Sequence, residues 1–266
     1  MKNILYALLF AGFVGGCATN AVTGRKQLSL VPESQLQLMA TDQYQTFLKE
    51  NKTLPANSSD AEMVTRVGQR IAAAITKYYT SQGKGSILDG YKWEFNTVDS
   101  KEANAWCMPG GKVVVYTGLL PITQTETALA IVLGHEITHA IAKHGNERMS
   151  QGMIQQGIGT ALEAALSQKP AETKNLFMTS YGVASQVGAL LPFSRQQESE
   201  ADHYGLIFAA MAGYDPREAV PFWERMSKLG GASQPEILST HPSNESRINK
   251  IKQELPEAMK YYTGKK

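Results

Sequence analysis

"GHEITHAIAKH", residues 134–144, decides the reading of this chain. A helix advances about 100° per residue, so positions four apart lie about 40° apart on one face. His135 and His139 can therefore point at one ion together, and neutral imidazole suits zinc. Glu136 stands beside the first histidine, where a carboxylate can reach water at such an ion. The flanking residues Ala130, Ile131, Val132, Leu133, Ile137, Ala140 and Ile141 are apolar. Polar groups buried unpaired in such a helix would cost several kcal/mol, so their presence needs a reason. His144 reads as a solvent-side residue that ligation does not require.

A catalytic zinc wants three protein ligands and one open place. "SRQQESEADHYG" (194–205) offers the third. Glu198 and Asp202 share a helix face, so Glu198 can bind the ion while Asp202 accepts the outer N–H of a ligating imidazole. Glu200 points away from Asp202 and fits a paired role poorly. His203 reads as structural.

The surrounding pattern is mainly helical. "ESQLQLMATDQYQTFLKE" (33–50) carries Leu36, Met39, Tyr44, Phe47 and Leu48 at helical spacing. A second helix starts at Ser59 or Asp60 and buries Met63, Val64, Val67, Ile71, Ile75 and Tyr78. "YKWEFNTV" (91–98) alternates aromatic and polar residues, "KVVVYTG" (112–118) is rich in β-branched residues after the turn "PGG" (109–111), and the two runs predict a small antiparallel sheet. The quoted motif then sits on a helix over 123–146, capped by Thr123 or Thr125. Residues 147–190 are interrupted by Gly152, Gly157, Gly159, Gly182 and Gly188, which predicts helical pieces with mobile joins, serving as a lid or as close helix packing. Helices follow over 195–211 and 216–229, and a loop leads into a closing helix. The fold class is α+β, mainly helical, with the sheet beside the metal-binding helix.

The 266 residues suit one large domain. The chain is 42% hydrophobic with a net charge of +2, which gives no reason to expect nucleic acid. "MKNILYALLFAGFVGGC" (1–17) has Lys2, a short apolar run and small residues before Cys17. The run is shorter than the about 20 residues of a membrane span and reads as a signal peptide over 1–16. It looks like a bacterial lipobox, which implies lipidation of Cys17 and a lipidated tether over 17–32. Ala18 resembles an outer-membrane address, facing the periplasm. Residues 33–266 then form the single domain. Cys107 reads as a packing residue.

The chain resembles the zinc metallopeptidase family of HtpX and the CAAX prenyl protease, a gluzincin family, and within it the periplasmic lipoproteins. The residues that carry the likeness are "NAWCMPGG" with "VYTGLL" (104–120), "GHEITHAIAKH", "SRQQESEAD" (194–202) and "STHPSNESRI" (239–248). The resemblance implies a zincin-like domain and one Zn2+ per chain, with His135, His139 and Glu198 as ligands, Glu136 as catalytic base and Asp202 behind the ligands. It favours His241 as a donor to the developing oxyanion, able to approach the metal when the site is closed. It places a substrate-binding edge strand within 104–116, where Asn104 and the Gly110–Gly111 turn are the substrate candidates. Arg247 positions the His241 loop or pairs on the surface.

The activity expected is zinc-dependent endopeptidase action on misfolded or unassembled proteins of the bacterial envelope. The alternative is a lipid-anchored chaperone or assembly factor for outer-membrane proteins, using the same cleft to bind without routine cutting.

Overall fold

A computed structural model describes residues 17–156, 170–183, 193–229, 236–241 and 245–264. The segment expected to be a tether is folded. Strands β1 (Cys17–Thr19) and β2 (Lys26–Leu28) pair antiparallel, and Asn20 and Gln27 between and within them are buried. Both side-chain amides donate to the Ala142 carbonyl. That carbonyl ends a helix, where the last C=O groups lack partners of their own. Leu30 N–H donates to Ser150 Oγ at 2.9 Å, and Asn146 Nδ2 to the Val31 carbonyl at 2.9 Å. Polar composition read as a tether is here a set of donors matched to an open helix end.

Helix α1 spans Glu33–Glu50 and α2 spans Ser59–Ser81. The start of α2 at Ser59 is as expected, and Ser58 caps it by accepting the Ala61 N–H. The predicted apolar positions Val64, Val67, Ile71 and Ile75 are buried in the main core, with Met63 and Tyr78 packed partly against it.

The sheet contains β3 (Glu94–Val98), β4 (Ala105–Met108) and β5 (Lys112–Tyr116), in the order β3-β5-β4. The antiparallel part is the β4–β5 hairpin. The pairing expected to be antiparallel between the 91–98 and 112–118 runs is parallel over β3 and β5. The chain leaves β3, crosses to the opposite edge as β4, and the hairpin returns β5 down the middle, so β5 must run with β3. Side chains alternate across β4 and β5. Cys107, Val113 and Val115 face the core shared with α2 and the metal-motif helix, and Trp106, Met108, Val114 and Tyr116 join Leu36, Tyr44 and Phe47 of α1 on the other.

The metal-motif helix is α3, Glu126–Ile141, capped by Thr125. It ends sooner than expected. Lys143 adopts a left-handed φ of 54°, and α4 (His144–Gln155) starts afresh. Helices α5 (Pro170–Ser180), α6 (Arg195–Met211), α7 (Ala219–Lys228), α8 (Glu236–Thr240) and α9 (Glu245–Met259) follow. Ser194 and Gln197 close a capping box at the start of α6. From Ala128 to Ile141 every residue of α3 is buried, as for a helix packed all round. Gly152 of α4 lies against Leu176 of α5, which is close helix packing. Much of the glycine-interrupted stretch, 157–169 and 184–192, lies outside the described residues, as do residues 1–16. None of the described helices is long and apolar enough to cross a membrane.

Candidate metal centre

Helices α3 and α6 meet at two glycines. A Cβ on Gly134 would stand 2.6 Å from the Gly205 carbonyl oxygen, and one on Gly205 would stand 2.8 Å from the His135 nitrogen. That approach places the carboxylates of α6 over the histidines of α3. His135, His139, Glu198 and His241 are buried, with their ligand atoms all within 4.8 Å of one another.

The donor set fits zinc. Ligand atoms about 2.0 Å from a tetrahedral ion stand about 3.3 Å apart. Here His135 Nε2 and His139 Nε2 are 3.0 Å apart. Glu198 comes within 3.3 Å of His139 Nε2 and 3.6 Å of His135 Nε2. His241 Nδ1 lies 3.0 Å from His135 Nε2 and 2.8 Å from Glu198 Oε1. Glu136 is also buried, and its Oε1 has no hydrogen-bond partner among the described residues; that atom lies 3.5 Å from His241 Nε2. A desolvated carboxylate oxygen left open beside four donors is what a proton acceptor at a metal centre requires.

Burial is the largest single influence on each group, and the neighbouring charges decide whether it prevails. Burial pushes the Glu136 carboxyl up, only partly opposed by His241 and His135. Burial would also raise Glu198, but His241, Arg247 and His135 outweigh it and hold that carboxyl well below its ordinary value. The same contest leaves Asp202 lowered, mainly through Arg247 and the hydrogen bond with His135. Burial holds the His139 imidazole well below its ordinary value, which favours the neutral ring that ligation needs.

Asp202 takes the place expected for it: Oδ1 lies 3.0 Å from His135 Nδ1. Arg247 of α9 is not a surface residue. Its Nε and Nη2 donate to the two Asp202 oxygens at 2.8 Å, and its Nη1 lies 2.8 Å from Glu198 Oε2. Its guanidinium carbon stands 3.7 Å from the Trp223 ring centroid. His241 is 2% exposed. It follows α8, stacks on Phe193 with centroids 5.0 Å apart, and joins the cluster as a fourth donor.

The substrate candidates flank strand β4, Asn104 before it and Gly110 and Gly111 after it. Asn104 is buried at the start of β4, its side-chain oxygen accepting the Ala105 N–H and its carbonyl the Tyr116 N–H. Gly110 and Gly111 form the β4–β5 turn with φ of 77° and 81°, and their carbonyls accept from Lys92 and Glu94. The hairpin-turn reading of the pair is therefore present in these bonds. At the other end of β4, Ile237 N–H of α8 donates to the Ala103 carbonyl at 3.2 Å, so the helix that precedes His241 docks beside the edge strand.

Three residues near the centre escaped the sequence reading. His144 is fully buried and not at the solvent side; its Nδ1 lies 2.9 Å from His139 Nδ1. Glu200, set aside as unpaired, lies 2.9 Å from His144 Nε2. Phe193 packs on His139 with centroids 3.9 Å apart. On an unbroken helix His144 would face away from His139; the left-handed Lys143 turns it back, and a lysine gives no advance sign of that conformation.

Residues 60–255 match Peptidase family M48. The chain is 34% identical over 241 residues to the mitochondrial metalloendopeptidase OMA1 of Schizosaccharomyces pombe, covering 89% of this chain and 66% of that one. It is 29% identical over 263 residues to human mitochondrial metalloendopeptidase OMA1, covering 96% and 49%. The beta-barrel assembly-enhancing protease of Escherichia coli is 27% identical over 233 residues, covering 76% and 47%. The chain thus spans about half to two thirds of the length of these relatives. They overturn one expectation. Mitochondrial metalloendopeptidases of yeasts, Arabidopsis thaliana and vertebrates stand among the relatives, so the address of a bacterial outer-membrane lipoprotein facing the periplasm is not supported. A short apolar run before a cysteine is a composition that several targeting signals share, and it does not name a membrane.

Proposed function

The chain belongs to peptidase family M48, and from that premise we propose that it is a zinc-dependent endopeptidase whose substrates are misfolded or unassembled proteins. One observation carries this reading: two helices bring His135, His139 and Glu198 within ligand spacing, beside a buried Glu136 oxygen that has no hydrogen-bond partner among the described residues. His135, His139 and Glu198 would hold one zinc ion. Zinc there supplies Lewis acidity, which polarises a peptide carbonyl and makes water a stronger acid.

Glu136 accepts the proton of the attacking water and passes it to the leaving amide nitrogen. Burial raises its pKa, which suits the first step, because a more basic carboxylate is a stronger proton acceptor. Asp202 fixes the His135 ring, and Arg247 fixes Asp202. His241 stabilises the developing oxyanion. In the arrangement described here its ring stands among the ligands as a fourth donor, so this role requires the ring to leave them. The edge strand β4 supplies backbone groups to an extended substrate, with Asn104 at its start and Gly110 and Gly111 shaping the turn at its end.

Support for the substrate class comes from one relative, the beta-barrel assembly-enhancing protease of Escherichia coli. A binding role without routine cutting is favoured by one feature, the fourth donor in the cluster, since four protein ligands make a closed site. Casein digestion with and without a chelator decides between them. Cleavage that the chelator abolishes and added zinc restores supports the peptidase; casein binding with no chelator-sensitive cleavage overturns it.

A further inference from the structure

His135 and His139 each turn one ring nitrogen into the cluster and the other outward, and the two outward contacts differ. His135 meets a carboxylate directly, Asp202. His139 meets another imidazole, with Nδ1 2.9 Å from His144 Nδ1. Beyond it, His144 Nε2 lies 2.9 Å from Glu200 Oε2. An ionised carboxylate only accepts, so His144 Nε2 carries hydrogen. A neutral His144 then has its lone pair on Nδ1, and His139 must donate from its own Nδ1. That leaves the lone pair of His139 on Nε2, the atom 3.0 Å from His135 Nε2 and 3.3 Å from Glu198 Oε1. The opposite tautomer of His144 would turn Nε2 into an acceptor facing Glu200 and put hydrogen where His139 must ligate.

Glu200 is itself held. Arg25, between β1 and β2, donates from Nε to Glu200 Oε1 at 2.7 Å. Its two terminal nitrogens donate to Glu147 at 2.8 and 2.7 Å, a planar fork on a carboxylate. Gln197 Nε2 donates to the same Glu147 at 2.8 Å. The side chains of Arg25, Glu200 and Glu147 are 18%, 14% and 9% exposed, which marks the cluster as interior. Both outward carboxylates come from α6 and each is locked by an arginine, Arg247 from α9 and Arg25 from the N-terminal hairpin.

We propose that Arg25, Glu200 and His144 are positioning residues that set the tautomer and ring orientation of His139, so that the N-terminal hairpin completes the metal centre. The proposal rests on the zinc reading given above. Loss of such an outer partner typically lowers metal affinity about 10–100-fold. The Asn146, Asn20 and Gln27 bonds to the hairpin and the α3 end hold Arg25 in register with Glu200.

The test uses the full chain and a chromophoric zinc chelator in competition. H144L, which keeps bulk but offers no acceptor, is expected to lose about 10–100-fold in zinc affinity. H144N places an amide oxygen near the position of the imidazole Nδ1 and is expected to recover most of it. E200L and R25M are expected to weaken zinc in that order. Nitrogen-15 NMR of the unaltered, zinc-loaded chain supplies a readout that needs no variant. The expected protons are on Nδ1 of His139 and Nε2 of His144. Wild-type affinity in folded H144L, or a neutral His144 protonated at Nδ1, overturns the relay while leaving the peptidase reading intact. A wild-type chain that takes up no zinc overturns both.

Discussion

Gly134 of α3 lies against Gly205 of α6 so closely that no side chain fits on either. Three of the four candidate ligands come from these same two helices, His135 and His139 on one and Glu198 on the other. The glycine contact therefore sets the distance between the imidazoles and the carboxylate. Gly205→Ala would place a methyl 2.8 Å from the His135 nitrogen and 2.9 Å from the Gly134 carbonyl carbon. Both are backbone atoms that cannot yield cheaply. We expect a loss of about 1–3 kcal/mol in urea unfolding, together with weaker zinc binding. Unchanged stability and unchanged zinc affinity would show that the crossing tolerates separation.

Arg247 is a permanently charged guanidinium that contacts both Asp202 and Glu198. Removing one member of a buried, hydrogen-bonded charge group costs about 3–5 kcal/mol, because the partners stay buried without compensation. R247L in the metal-free chain is expected to lose stability in that range by chemical denaturation. A change within about 0.5 kcal/mol, the usual effect of a surface substitution, would contradict the buried placement.

The same pair has a pH signature. Asp202 titrates below its ordinary value in the folded chain, since Arg247 and His135 outweigh the upward push of burial. A depressed carboxyl stabilises fully above its unfolded pKa, about 3.9 for aspartate, and that stability is lost as pH falls through the folded value. The gap in melting temperature between wild type and R247L should be constant from pH 7 to about 5 and narrow below about pH 4. A gap that widens on acidification would reverse the assigned sign.

Glu136 and Glu198 separate chemistry from binding. E136Q keeps the shape of the side chain and removes the proton acceptor, so turnover of casein should fall about 10²–10⁴-fold while zinc content stays near that of wild type. E198A should instead lower zinc content, read by elemental analysis after dialysis. Cleavage by E136Q at the wild-type rate would remove Glu136 from the role of base.

The centre's inner residues were legible because their signals are local. Two histidines four apart on a greasy helix, and two acids four apart on another, state a shared face within one turn each. The helices themselves were readable from apolar spacing, so α1 and α6 appear at the expected bounds. Strand β3 was readable from alternation and β5 from its β-branched run, but their pairing direction was not. Direction depends on the order β3-β5-β4, which arises from where the connection crosses and leaves no mark in either strand.

The sequence by itself determined the chemistry of the donor set, since residue type and helical period need no neighbours to be read. Only the tertiary structure decided that His241 and Arg247 are interior, that a left-handed Lys143 turns His144 onto His139, and that the polar N-terminal stretch folds as a hairpin onto an open helix end. Each depends on a contact between residues far apart in the chain, here as distant as Arg25 and Glu200. Burial and pairing belong to the space between elements, and no stretch of sequence contains that space.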